Sequence, residues 1–112
     1  MSEKNTNVVF FNTYKLIKGS SVPDFLKTVD ELFQENILKQ KGIVEGKIMS
    51  DGDTWGDYAA FETMEDLNAF LEAAQAAQEN GTNDIAAKFY SYINFSTCKS
   101  HMFTVEKTFL PK

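Results

Sequence analysis

The sequence has little cysteine and histidine, since Cys98 and His101 are its only residues of these types. A single cysteine cannot form a disulfide within the chain. One cysteine and one histidine also cannot supply the usual ligands of a structural or catalytic zinc site. We therefore expect no metal site, and we interpret Cys98 as a packed free thiol.

Basic clusters and long apolar runs are also absent, and the net charge is −5. Nucleic acids and anionic membranes bind basic surfaces, so neither is expected as a partner. No apolar run approaches the roughly 20 residues that span a bilayer. Residues 1–7 are polar where a secretory signal has an apolar core. These features predict a protein of the reducing cytoplasm.

Aromatic residues, in contrast, are abundant, with ten Phe, four Tyr and one Trp in 112 residues. The length is that of one domain, so we expect a single domain over residues 1–112. An apolar interface or a hydrophobic pocket would use the aromatic excess of so small a core.

Hydrophobic periodicity predicts four strands and three helices. Capping patterns at Ser21 and Thr63 mark two helix starts, and Asp51-Gly52-Asp53 marks a hairpin turn. The run of small residues 73–77 is interpreted as close helix packing. The expected strands are 8–17, 43–50, 55–62 and 99–109, and the expected helices are 21–42, 63–80 and 84–94.

This order of elements predicts an α+β fold of the ferredoxin-like type. Two βαβ halves joined by a hairpin give a βαββαβ sandwich, with a four-stranded antiparallel sheet and the major helices on one face. The strands carry apolar residues on both faces, as in Val8-Val9-Phe10-Phe11. Because the helices cover only one face, we expect a homodimer through the open sheet face, with Phe11 in the interface.

Residues 8–109 resemble the dimeric α/β barrel superfamily, and within it the antibiotic biosynthesis monooxygenase-like branch. The resemblance is carried by the passage Tyr58-Ala59-Ala60-Phe61-Glu62-Thr63-Met64-Glu65-Asp66 and by Asn12 in the first strand. Heme-degrading members have an Asn, a Trp and a His at positions that match Asn12, Phe61 and Leu71 here. Two of these three differ, so the resemblance implies neither heme nor another cofactor.

Strand parity predicts one aromatic cavity between sheet and helices, because alternate side chains share a face. His101 is expected to reach the same space, and as the only histidine it suits proton transfer near neutrality. Tyr14 is the other candidate for catalysis. The expected ligand-binding residues are Phe10, Asn12, Tyr14, Trp55, Ala59, Phe61, Leu71, His101 and Phe103.

Three hypotheses for the function remain open at this point. The first is a homodimer that binds a small hydrophobic molecule, such as a lipid-like or polyketide-like acid or ketone. The second is a cofactor-independent monooxygenase or isomerase that uses His101 or Tyr14. The third is a structural or regulatory dimer without a pocket. The sequence alone does not decide whether the protein is an enzyme.

Overall fold

A computed structural model describes residues 5–112, so the first four residues of the polar segment 1–7 lie outside the described part of the chain. Strands and helices follow one another in the order β1, α1, β2, β3, α2, α3, β4. Their bounds are Val8–Leu16 for β1, Val22–Glu35 for α1, Ile43–Asp51 for β2, Thr54–Phe61 for β3, Met64–Asn80 for α2, Asp84–Ser91 for α3 and Ile93–Thr104 for β4.

The strands form one antiparallel sheet in the order β2-β3-β1-β4. β2 and β3 meet in the tight turn predicted at Asp51-Gly52-Asp53, where Asp51 pairs with Thr54 and Gly52 has a φ of 61°. The helices pack on the face that carries Phe10 and Asn12. The predicted α+β, ferredoxin-like fold is therefore confirmed.

The predicted helix starts are confirmed by their capping bonds. The Asp24 backbone N–H donates to Ser21 Oγ at 3.3 Å, and the Asp66 N–H donates to Thr63 Oγ1 at 3.0 Å. The first helix is shorter than the predicted 21–42, however. Asn36 leaves the helical conformation, and a 3₁₀ turn at Ile37–Lys39 follows. An Asn side chain competes for nearby backbone hydrogen bonds, which favours such a break.

The last two elements also differ from the prediction. α3 ends at Ser91 instead of residue 94, and β4 spans Ile93–Thr104 instead of 99–109. β4 pairs with β1 from Leu16 opposite Ile93 to Val8 opposite Thr104, with a register shift between Thr13 and Lys15. Because of this shift, the 12 residues of β4 lie along the 9 residues of β1. Within the described residues, no helix combines the length and apolar character needed to cross a membrane.

Candidate ligand-binding cavity

The helix-side face of the sheet is built from alternate residues of β1 and their partners on β3. Phe10 lies opposite Ala59, Asn12 opposite Asp57, and Tyr14 opposite Trp55. Successive residues of a strand point to opposite faces, so these side chains share the face that the helices cover. The space between sheet and helices differs sharply between its two ends.

At one end, which we call the aromatic end, the space is filled by rings. Phe25 of α1 is fully buried at its centre. Its ring centroid lies 5.2 to 6.4 Å from those of four other aromatic residues, mostly in edge-to-face arrangements that favour aromatic packing. These neighbours are Tyr14, Trp55, Phe89 and Tyr92. The aromatic end is therefore a packed core.

At the other end, which we call the cavity end, a cavity of about 220 Å³ lies between sheet and helices and is partly open to solvent. Phe10, Asn12, Asp57 and Ala59 form its floor on the sheet, and parts of α1, α2 and α3 form its walls. On α2 the lining includes three small residues of the run interpreted from the sequence as close helix packing, which are Ala73, Ala74 and Ala77. That interpretation is wrong for these three, because their short side chains leave the space unfilled.

The wall formed by α1 is brought close to the sheet at Gly46 of β2. A Cβ atom at Gly46 would lie 2.2 Å from Cε1 of Phe33, a separation that side-chain atoms do not adopt. Phe33 lines the cavity, whereas Gly46 does not. The missing side chain at Gly46 therefore lets the Phe33 ring lie against the strand.

A row of hydrogen-bonded polar side chains runs across three adjacent strands, and two of its members, Asn12 and Asp57, line the cavity. Asn12 lies between Asp57 on β3 and Ser100 on β4. Its Nδ2 donates to Asp57 Oδ1 at 2.8 Å, and its Oδ1 accepts from the Ser100 hydroxyl. Because both ends of the amide are engaged, the orientation of Asn12 is fixed, and its donor points at the carboxylate.

Asp57 dominates the electrostatics of this floor. Burial raises the pKa of its carboxyl group, and the interactions with Asn12 and Tyr14 offset that rise only in part. Burial, and after it the Asp57 charge, also raises the pKa values of the Tyr14 and Tyr90 phenols. The buried Tyr14 hydroxyl has no hydrogen-bond partner of good geometry among the described residues. The floor thus presents a carboxyl group that is costly to ionise.

The structure brings only some of the predicted site residues together. Phe10, Asn12 and Ala59 line the cavity, whereas Tyr14 and Trp55 belong to the aromatic end. Phe61 is fully buried and Leu71 packs beside the same core, but neither is a lining residue.

The expectation that His101 and Phe103 reach the cavity is wrong. His101 pairs with Phe11, and Phe103 pairs with Val9, so both point away from the helices. Both are exposed, and their rings stack on each other with centroids 5.5 Å apart. The β4 residue that does contact the polar row is Ser100, one position before His101.

Strand parity with Phe61 placed Asp57 on the helix-side face, yet Asp57 was not among the expected site residues, although an acidic side chain on an otherwise apolar face was a usable signal. Tyr90, which lines the cavity, and Ser100, which is hydrogen-bonded to Asn12, were also left out. Ser100 depends on the parity of β4, which the sequence did not define.

The architecture defines the fold of the protein. An antiparallel sheet in the order β2-β3-β1-β4, covered by helices on one face, is the ferredoxin-like fold of antibiotic biosynthesis monooxygenase-like proteins. The resemblance noted in the sequence is confirmed as a likeness of fold. Neither the protein-family models nor the curated protein sequences gave a match.

Several solved structures share this fold over nearly the whole chain. SnoaB, a cofactor-independent oxygenase from Streptomyces nogalater, is 14% identical over 96% of this chain and 100% of its own, with a TM-score of 0.68. The monooxygenase from the gene ActVA-Orf6 of Streptomyces coelicolor, in complex with the ligand nanaomycin D, is 18% identical over 96% and 94%, with a TM-score of 0.66. A dimeric ferredoxin-like protein from an uncultured marine organism is 12% identical over 96% and 95%, with a TM-score of 0.68.

Proposed function

We propose that this protein binds a small, mainly apolar molecule in the helix-side cavity. The observation that carries the proposal is the cavity itself, which is lined largely by apolar side chains and has one polar row on its floor. Ligand sites in proteins typically combine an apolar lining with a few well-placed polar groups. The cavity also argues against the hypothesis of a dimer with a filled core.

The size of the cavity limits the ligand. Its volume of about 220 Å³ is below the roughly 300–1,000 Å³ of sites for drug-sized molecules. We therefore expect a ligand with the size of one aromatic ring or of two fused rings. Among proteins of this fold, the ActVA-Orf6 monooxygenase was solved with a bound ligand, nanaomycin D.

Filling the cavity tests this proposal. Ala74→Phe places a ring in the space that the alanine leaves open, so we expect naphthalene binding, measured by calorimetric titration, to fall by about tenfold or more. Ala76→Phe is the matched control, because Ala76 is exposed on the same helix and is not a lining residue. Equal binding by the Ala74→Phe variant and the wild type would contradict the proposal.

We also propose that the protein is a homodimer through the open sheet face, whose central apolar residues are Val9, Phe11, Tyr58 and Phe103. Phe11 lies opposite Tyr58 and His101, on the face away from the helices. The Phe103 side chain is 54% exposed, although it lies next to other apolar groups. Contiguous exposed apolar surface of this kind marks interaction sites. A neighbour of the same fold is itself described as dimeric.

Phe11→Asp tests the homodimer. Covering the open sheet face with a second copy should bury more than about 1,000 Å² in total, and a charge at its centre would be left unpaired. We expect the wild type to sediment as a dimer at micromolar concentration and Phe11→Asp to sediment as a monomer. Leu38→Asp is the control, since Leu38 is exposed in the 3₁₀ turn rather than on the sheet. A monomeric wild type would rule out the dimer.

A second candidate function, a cofactor-independent oxygenase, is favoured by the carboxyl group on the cavity floor. SnoaB, which shares the fold, is such an oxygenase. His101 does not serve as the proton-transfer group, because it lies on the open sheet face, and the raised pKa of Tyr14 makes its phenol a poor acid. Asp57 is then the candidate proton-transfer group of the cavity.

Without a cofactor, the substrate itself must supply the electrons that reduce O₂, as when 1-naphthol and O₂ give 1,4-naphthoquinone and water. Absence of oxygen uptake with 1-naphthol would count against this candidate.

A further inference from the structure

Among the described lining residues, the cavity has one ionisable acidic side chain and no basic one. Of the described residues that line it, Asp57 is the only Asp or Glu, and none is Lys, Arg or His. A carboxylate ligand in a largely apolar site needs a cation or several free donors to offset its desolvation. The lining offers no such cation, so the ligand's polar group has to be compatible with a negative neighbour.

Several of the neutral amides in the lining are already engaged. Asn12 donates to Asp57 and accepts from Ser100, so it is held as part of the polar row. The Gln40 amide donates to Asn36 at two oxygen atoms, each at 3.2 Å. Asn83 accepts from the Ala86 backbone N–H with its side-chain oxygen, a bond that engages its acceptor and not its Nδ2 donor. The amide donors of Asn12 and Gln40 are therefore engaged within the protein, which leaves fewer donors for an anionic ligand group.

Asp57, in contrast, retains capacity to accept. An ionised carboxylate has about four lone-pair sites and a protonated carboxyl keeps part of that capacity, and the Asn12 bond at Oδ1 uses one site. Hydrogen bonds from a hydroxyl to a carboxylate are among the stronger ones in proteins. The geometry of the floor thus fits a ligand that donates a hydrogen bond.

We propose that the cavity selects molecules that carry a neutral hydroxyl group over carboxylic acids, and that Asp57 accepts the hydrogen bond of that hydroxyl. This inference rests on the proposed binding function and specifies its ligand class. It departs from the acid or ketone expected from the sequence, because that expectation gave Asp57 no role in binding.

The effect of burial on the pKa of the Asp57 carboxyl group supports this selection. Burial already raises the pKa of the Asp57 carboxyl, so the site disfavours even one negative charge. A ligand carboxylate would add a second charge nearby. One of the two carboxyl groups would then have to take up a proton, as closely spaced carboxylates do. A neutral hydroxyl avoids that cost.

Three probes with the same ring system test the inference at neutral pH, where naphthoic acid is ionised and naphthol is not. We expect calorimetric titration to give 1-naphthol a higher affinity than naphthalene, and 1-naphthoate an affinity about tenfold or more below that of 1-naphthol. The backbone and side-chain amide signals of Asn12 in NMR spectra should shift on binding of 1-naphthol, because Asn12 lies beside the accepting carboxylate.

The Asp57→Asn variant tests the contribution of the carboxylate charge to this preference. The Asn amide oxygen can still accept from Asn12, whereas the negative charge is removed, so the preference for 1-naphthol over 1-naphthoate should fall towards unity. Asp53→Asn is the control for net charge, since Asp53 is exposed in the hairpin turn and should keep the wild-type preference.

The outcomes separate this inference from the function on which it rests. If the wild type binds 1-naphthoate as tightly as 1-naphthol, or if Asp57→Asn keeps the wild-type preference, the inference is overturned. Naphthalene binding that is lost in Ala74→Phe would leave the binding function standing in that case. If the wild type binds none of the three probes, the proposed binding function fails, and the inference fails with it.

Discussion

The aromatic end and the cavity end lie in the same layer between sheet and helices, yet one is filled and the other is hollow. α1 contributes four buried residues to this layer, and at the aromatic end Phe25 is surrounded by rings. α2 contributes one buried residue, Leu67, and its later turns present alanines towards the sheet. The hollow end therefore lies where α2 presents small side chains, and the filled end lies where α1 presents a large ring.

This comparison separates what the fold determines from what the sequence adds. A ferredoxin-like backbone places two long helices over one sheet face, and large side chains on both helices would fill the space between them. Here Ala74 and Ala77 stand where larger residues would close the gap. Substitutions at the two ends should consequently have unequal effects.

The largest expected effect is on stability at the aromatic end. Phe25→Ala removes a ring that is 0% exposed, so we expect a loss of about 3–5 kcal/mol in the free energy of unfolding. Phe70→Ala at the cavity end should cost about 1–2 kcal/mol, since Phe70 is only half-buried and borders existing empty space. Urea denaturation of both variants measures the contrast. Equal losses would show that the two ends are packed alike.

A smaller effect is expected from the charge on the cavity floor. The folded-state pKa of Asp57 lies above its ordinary value of 3.8, so the folded protein binds this proton more tightly than the unfolded chain. The stability that this group contributes is fully present below pH 3.8 and is lost as the pH rises through the folded-state pKa. Asp57→Asn should therefore raise the free energy of unfolding at neutral pH, by less than Phe25→Ala lowers it.

The pH profile distinguishes this cause from a general effect of the substitution. The stability difference between Asp57→Asn and the wild type should shrink as the pH falls towards 3.8, because the wild-type carboxyl then becomes neutral too. Chemical denaturation at a series of pH values measures it. A difference that stays constant with pH would mean that Asp57 is not destabilised by its burial.

The first three strands and the ends of α2 could be predicted from the sequence because local signals define them. Asp51-Gly52-Asp53 specifies a hairpin, Thr63 and Gly81 cap α2, and alternation around Asn12 assigns a face. β4 has no tight turn to fix its register, and a shift of one residue reverses every side chain. His101 was therefore assigned to the wrong face, and Ser100 was overlooked.

The cavity itself could not be predicted from these signals. Parity assigns Phe10, Asn12 and Ala59 to the correct face, but whether space remains above them depends on how far α2 stands from the sheet. Alanines allow either close contact or a gap, and the sequence around Ala74 and Ala77 does not distinguish the two. Tertiary packing decides between them.

Gly46 influences the shape of the cavity although it is not one of the residues that line it. Any side chain there would collide with the Phe33 ring and drive it from the strand, either into the cavity or outward together with α1. The width of the cavity thus depends on a residue that lies behind one of the rings of its wall. A substitution at Gly46 would change that width while every lining residue stays the same.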